Sequence, residues 1–288
     1  MKKKITFLGL LGLLLFNITG CSNDKLEGST ITTSVYPIEY IVDCLYGYNS
    51  TIKSIYPNDT NIIEYKLTDK QIKSYAKESN LFVYNGLSDE KEIAKQLINK
   101  NKKMQIIDVS YGLKYTYGIE ELWLNPNNYL MLASTTKSNL EELSSSKYAA
   151  EKLEENYKVL EENLAILDAN IRNIGKSAKE NGKNTIVIAY DAFGFLNDYG
   201  FEIVNITEEA NITNSIKSKF KDKTYKYIFV KDKKNITDSV KDLIDNYGAK
   251  LVEIDTMETL TEEQRKNNDN YLTIMNQFVT TLSNIVLE

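Results

Sequence analysis

The chain predicts an α/β protein of two lobes, each a roughly four-stranded, mainly parallel sheet with flanking helices, joined by one long rigid helix. Three observations carry this reading. Short β-type runs alternate with helical stretches in both halves, the pattern of parallel strands covered by helices. Between the halves, residues 147–180 hold one apolar stripe at steps of three and four. The length of 288 residues is enough for two domains with a core each.

Residues 1–20 have the composition of a secretory signal peptide: Lys2, Lys3 and Lys4, then an apolar run from Ile5 to Phe16, then small residues. The run is shorter than the roughly 20 apolar residues of a membrane-spanning helix. Ile18-Thr19-Gly20-Cys21 resembles the bacterial lipobox. That resemblance implies cleavage before Cys21, diacylglycerol on its thiol and a tether over residues 21–29. An ordinary signal peptide with an incidental cysteine is the other reading.

The N-terminal lobe is expected over 30–142. Thr30 to Val35 is a strand, and Pro37 opens the helix that runs to Leu45, where its missing N–H is harmless. Thr51 to Tyr56, Leu81 to Tyr84 and Gln105 to Val109 are the further strands. Helices lie at Thr68 to Ala76, with Thr68 as N-cap, and at Glu90 to Asn99. The linking segment, 143–182, contains a helix from Lys147 to Glu180. Ser144 to Ser146 start it, Asn181-Gly182 stop it, and it would span roughly 50 Å. The C-terminal lobe, 183–288, holds strands at Thr185 to Ala189, Glu202 to Ile206, Tyr227 to Val230 and Lys250 to Ile254. Helices follow at Asp238 to Tyr247, stopped by Gly248, and at Tyr271 to Leu287.

Composition excludes several functions. With 35 basic and 40 acidic residues the chain is acidic, and three of its lysines lie in the signal segment, so nucleic acid is not an expected partner. Histidine is absent, which removes Ser-His and Cys-His catalysis and every His-based zinc site. There is no GxxxxGK phosphate loop and no nucleophile–base pair, so an enzyme is not expected. A carboxylate pair could serve as acid and base, but nothing singles one out. Once Cys21 carries lipid, Cys44 is the one remaining thiol, and it suits a small buried position in a helix. Trp123 and the tyrosines fit either core positions or the wall of an organic ligand pocket. The lysine-rich stretch from Lys217 to Lys234 fits a solvated face or a contact with anionic lipid.

The segments Ile31 to Pro37, Leu81 to Gly86, Leu122 to Pro126, Asp191 to Leu196, Leu260 to Glu263 and Asp269 to Met275, taken in order, resemble the substrate-binding lipoproteins of bacterial ABC importers for zinc and manganese, the adhesin-like metal-binding lipoproteins. Ile31-Thr32-Thr33-Ser34-Val35-Tyr36-Pro37 is similar to that family's opening strand and helix. Leu81-Phe82-Val83-Tyr84-Asn85-Gly86 resembles its "aDLFVYNG" stretch, and Leu122-Trp123-Leu124-Asn125-Pro126 its "VWLDP". Asp191-Ala192-Phe193-Gly194-Phe195-Leu196 resembles "HxAFGYL" without the first residue. Leu260-Thr261-Glu262-Glu263 and Asp269-Asn270-Tyr271-Leu272-Thr273-Ile274-Met275 resemble its C-terminal signature.

The resemblance implies a metal held between the lobes by three histidines and a carboxylate. Here Ile63 takes the first histidine's place, Glu121 the second, Tyr190 the third, and Asp255 matches the carboxylate; Glu64 is a possible substitute in the loop after the second strand. Ligands of parallel α/β sheets bind beyond the carboxyl ends of the strands, where these residues fall. An all-oxygen set of Glu121, Tyr190, Asp255 and Glu64 would suit a hard divalent cation better than zinc. Alternatively, Glu121 and Asp255 are solvated loop acids, or converging carboxylates are balanced by a basic partner such as Lys231.

The implied function is a lipid-anchored, extracytoplasmic solute-binding protein of an ABC-type metal importer. Its cargo is a divalent metal ion and its partners are a membrane permease and, through the anchor, the membrane; a monomer is expected. The alternative is a degenerate relative that binds no metal and acts as a surface interaction or adhesin-like lipoprotein.

Overall fold

The computed structural model describes residues 24, 26–144 and 146–287. The signal segment and Cys21 lie outside the described residues. The first lobe runs β1 (Thr30–Thr33), α1 (Tyr36–Tyr46), β2 (Thr51–Ser54), α2 (Asp69–Glu78), β3 (Leu81–Tyr84), α3 (Glu90–Lys100) and β4 (Gln105–Asp108). Its strands are all parallel, in the order β2-β1-β3-β4, with Thr32 opposite both Lys53 and Phe82. Then come α4 (Glu121–Leu124), α5 (Pro126–Leu143) and the 34-residue α6 (Lys147–Glu180). The second lobe holds β5 (Thr185–Ile188), a 3-10 segment (Asp191–Tyr199), β6 (Glu202–Asn205), α7 (Asn214–Lys221), β7 (Tyr227–Val230), α8 (Asp238–Tyr247) and β8 (Lys250–Glu253). Its order, β6-β5-β7-β8, repeats that of the first lobe, again with every pair parallel. Helices α9 (Glu262–Lys266) and α10 (Tyr271–Leu287) close the chain.

Local chemistry sets the element ends. Thr68 and Gln71 form a reciprocal capping box at α2, satisfying two backbone donors that the helix itself leaves free. Asn125 accepts the Asn127 N–H at 3.0 Å and Pro126 occupies the first turn of α5. Ser146 caps α6 by accepting the Ala149 N–H. Gly248 ends α8 in the left-handed region, φ +75°, where a side chain would be strained.

The inner strands β3, β5 and β7 are largely buried apolar runs, whereas the edge strands β2, β4, β6 and β8 are partly exposed and carry polar residues. In β3 the alternation is visible: Phe82 and Tyr84 stack on one face, beside Ile72, Ala76 and Leu97. Leu81 and Val83 point the other way, into a core shared with α1, α6 and α10. In β7, Ile228 and Val230 face Phe220, Val240 and Leu243, while Phe229 joins the shared core. That core runs from Ile31 of the first lobe through Leu153, Leu160 and Leu167 of α6 to Val286. The lobes are therefore not separate bodies joined by a strut: α6 is packed along both.

Two sequence readings are refined here. The lysine-rich stretch is not one solvated face, because it contains α7, whose Phe220 is buried, and the buried strand β7. Trp123 is core, with 1% of its surface exposed.

Candidate metal centre

The loops that leave the carboxyl ends of β2, β5, β6, β7 and β8 line a cavity of about 780 Å³ between the lobes. This is where an α/β sheet presents ligands, since the strand order places the first strand of each sheet inside and opens a crevice beside it. Tyr190 lies two residues beyond the end of β5, in extended conformation, and Lys231 directly follows β7. Glu120 immediately precedes α4, and Glu258 sits five residues beyond the last residue of β8.

These four side chains converge. The Tyr190 hydroxyl donates to Glu120 Oε1. Lys231 Nζ donates to the same oxygen at 3.2 Å, to the Tyr190 hydroxyl at 3.3 Å and to Glu258 Oε1. The ammonium lies 5.1 Å from the centre of the Tyr190 ring, within cation–π range. Thr256 Oγ1 donates to the other Glu258 oxygen at 2.8 Å. The site is braced from behind: Trp123 Nε1 donates to the Thr256 carbonyl at 2.7 Å, and the Tyr271 hydroxyl donates to the Trp123 carbonyl at 2.6 Å. That chain of bonds ties α4, which Glu120 immediately precedes, to the loop that carries Glu258.

One ammonium serves two carboxylates, and the pair splits accordingly. Burial pushes Glu120 up, but the Tyr190 hydrogen bond and the Lys231 charge outweigh it and hold Glu120 below its ordinary range. Burial raises Glu258, and the neighbouring Glu120 charge adds to the rise, so Lys231 only partly offsets it. Burial first, then the Glu120 charge, lift the Tyr190 phenol far above its usual value. Tyr190 is therefore a neutral hydroxyl, a poor metal ligand until a strong cation lowers its pKa.

The residues expected at the site are distributed unevenly. Tyr190 and Asp255 both line the cavity. Asp255 is exposed and already engaged: Oδ1 accepts the Met257 N–H at 2.7 Å and Oδ2 accepts Gln264 Nε2 at 2.6 Å. Glu121 is buried but faces away, accepting the N–H groups of Thr116 and Tyr117 at 2.9 Å each and Asn128 Nδ2 at 3.3 Å. Glu64 is exposed and does not line the cavity; its neighbour Ile63 does, with 72% of its surface exposed. Among the described residues, no group of three or more His, Cys, Asp or Glu is arranged to hold a metal ion. Sequence reasoning missed Glu120 and Glu258. The signal for Glu258 was its place in the loop after the last strand, and for Glu120 its place one residue from the expected ligand.

Two parallel α/β lobes packed on one helix around a polar cleft define the architecture of a cleft-type solute-binding protein. The model of the ZnuA family, the periplasmic component A of the zinc-uptake complex, matches residues 31–285, so the chain belongs to that family. Solved structures share the fold. The Zn(II)-bound ZnuA-like domain of Streptococcus pneumoniae AdcA superposes with a TM-score of 0.72 at 22% identity, covering 91% of this chain and all of that one. The metal-dependent lipoprotein YcdH of Bacillus subtilis gives 0.75 at 21% identity, with 90% and 100% covered. The periplasmic zinc-binding protein TroA of Treponema pallidum gives 0.68 at 16%, with 90% and 99% covered. No curated protein matches the chain by sequence.

Proposed function

We propose that the chain is the lipid-anchored, extracytoplasmic solute-binding component of an ABC-type metal-ion importer. It receives a divalent cation in the interlobe cleft, docks as a monomer on a membrane permease and is not an enzyme. The observation that carries the cargo assignment is the convergence of Glu120, Tyr190 and Glu258 from three separate segments on one point of the cleft. Family membership supports the transport role. The Ile18-Thr19-Gly20-Cys21 sequence supports the anchor.

The donors are all oxygen, so the cargo is a hard cation such as Mn²⁺ in preference to Zn²⁺, which favours nitrogen and sulfur. Calorimetric titration of untagged protein with each ion tests this. Mn²⁺ is expected to bind more tightly than Zn²⁺, and a tight Zn²⁺ isotherm with weak Mn²⁺ would reverse the assignment. In the same preparations, wild type should partition into detergent and Cys21→Ser should not; equal partitioning removes the anchor.

The second reading, a surface interaction lipoprotein that carries no metal, is favoured by one observation: Lys231 already pairs with both Glu120 and Glu258. Absence of heat with every divalent ion would select it.

A further inference from the structure

We propose that Lys231 is a built-in cation: its ammonium occupies the position that a metal ion would take between Glu120, Tyr190 and Glu258, and cargo enters only by displacing it. This rests on the proposed cleft site but makes a separate claim about what fills it at rest.

The argument is one of donors and acceptors. An ammonium has three N–H donors, and here all three have partners: Glu120, the Tyr190 hydroxyl and Glu258. The oxygens it engages are those a cation would need. A metal ion would have to lie about 2.0–2.6 Å from these oxygens, using the same lone pairs and the space that Nζ fills. The two positions are mutually exclusive.

Charge leads to the same conclusion. Glu120 and Glu258 are 6% and 14% exposed at the side chain, so their charges cannot be left to solvent. Lys231 offsets one of them. A divalent ion would offset both, but only if the ammonium leaves, because two cations sharing one oxygen cluster repel. Lys231 can leave. Its side chain is 27% exposed, lines the open cavity, and rides on a flexible four-carbon stem with no other ion-pair partner among the described residues. The alternative role is a plain clasp, in which Lys231 ties the α4 segment to the β7 and β8 loops and nothing replaces it.

Calorimetric titration with Mn²⁺ separates the two. Lys231→Met keeps the stem without the charge, and Lys231→Gln keeps a hydrogen-bonding end. Both are expected to bind Mn²⁺ about tenfold more tightly than wild type, or better. The gain should vanish in Lys231→Met/Glu258→Gln. It should not appear in Lys233→Ala, which removes a neighbouring cavity charge outside the cluster. Equal affinity in wild type and both neutral variants overturns the proposal, as does a gain that survives loss of Glu258. Loss of the cooperative unfolding transition in both neutral variants also overturns it, because Lys231 is then a structural tie whose removal leaves no site.

The outcome is distinguishable from failure of the cargo assignment. Silent wild type with a binding Lys231→Met ends the cargo reading and leaves the built-in cation standing. Tight, equal binding does the reverse. No binding in any variant ends both.

Discussion

Glu120 and Glu121 are adjacent acids with opposite duties, and the difference is a matter of direction. Glu121 opens α4 and turns back onto the N–H groups of Thr116 and Tyr117, satisfying two backbone donors of the incoming loop. Glu120, one position earlier on the same turn, is rotated by about 100° and reaches Tyr190 and Lys231 on the cavity wall. A sequence shows that an acid belongs here; it does not show which of two neighbours faces the ligand, because the backbone of the incoming loop sets that rotation. Glu90 is a second acid whose surroundings decide its behaviour. It is buried at the start of α3, accepts the Asn85 N–H at 2.9 Å, and burial pushes its pKa up to about 7. A carboxyl that binds its proton more tightly when folded favours the folded state below its folded pKa, so stability falls as pH rises from about 4.5 to 7. The full effect is on the order of 3 kcal/mol. Glu90→Gln keeps an acceptor for Asn85 without the charge, and should flatten this slope and gain stability at pH 8. Urea unfolding of both proteins at intervals from pH 5 to 8 measures it; parallel profiles would show that Glu90 does not titrate in this range.

At the level of elements, legibility followed burial. Strands Leu81–Tyr84 and Tyr227–Val230 were readable to the residue because both faces are buried and no polar residue interrupts them. Helix α6 was readable because its apolar stripe is long enough to average out irregular positions. Helix α5 escaped notice although Tyr129, Leu132, Ala133, Thr136 and Leu140 are buried at helical spacing. Two of those five are small or polar, and the Thr136 hydroxyl is satisfied by donating to the Leu132 carbonyl at 2.8 Å, a bond no composition reveals. Helix α7 was hidden by its lysines, since only Phe220 is buried. The contact of α6 with the second lobe gives the element-scale prediction. Gly175 lies within α6, and a Cβ there would fall 2.0 Å from the Tyr199 carbonyl oxygen. On an exposed helix, Gly→Ala would stabilise by about 1 kcal/mol. At this contact the carbonyl is backbone and cannot rotate away, so Gly175→Ala should instead destabilise by about 1–3 kcal/mol. Thermal unfolding decides the sign; a midpoint equal to or above wild type would mean that the 3-10 segment moves freely away from α6.

At the scale of the whole molecule, the two lobes are joined by much more than a connecting helix. Sequence alone gave two lobes and a brace, and the rest came from contacts between residues far apart in the chain, which no local pattern encodes. The segment after β8 docks on the first lobe: the Asp59 N–H donates to the Leu260 carbonyl at 3.0 Å, and Arg265 donates to Glu39 at 2.7 Å and to Asn58 at 3.1 Å. Tyr271 of α10 stacks on Tyr129 of α5 with ring centres 3.9 Å apart. Trp123 hydrogen-bonds the Thr256 carbonyl, and one apolar core runs through both lobes. A hinge closure of tens of degrees would have to break these bonds and expose shared core, whereas hinges are built from a few terminal or loop residues with little buried against them. Access to the cleft must therefore come from side chains and from the loop that carries Ile62 and Ile63 on the cavity wall. Small-angle scattering of wild type and Lys231→Met, each with and without saturating Mn²⁺, tests this. The radius of gyration and the distance distribution should coincide within error in all four samples. A contraction on adding Mn²⁺ would mean that the lobes close as bodies, and that the bonds of Arg265, Trp123 and Tyr271 break in the open state.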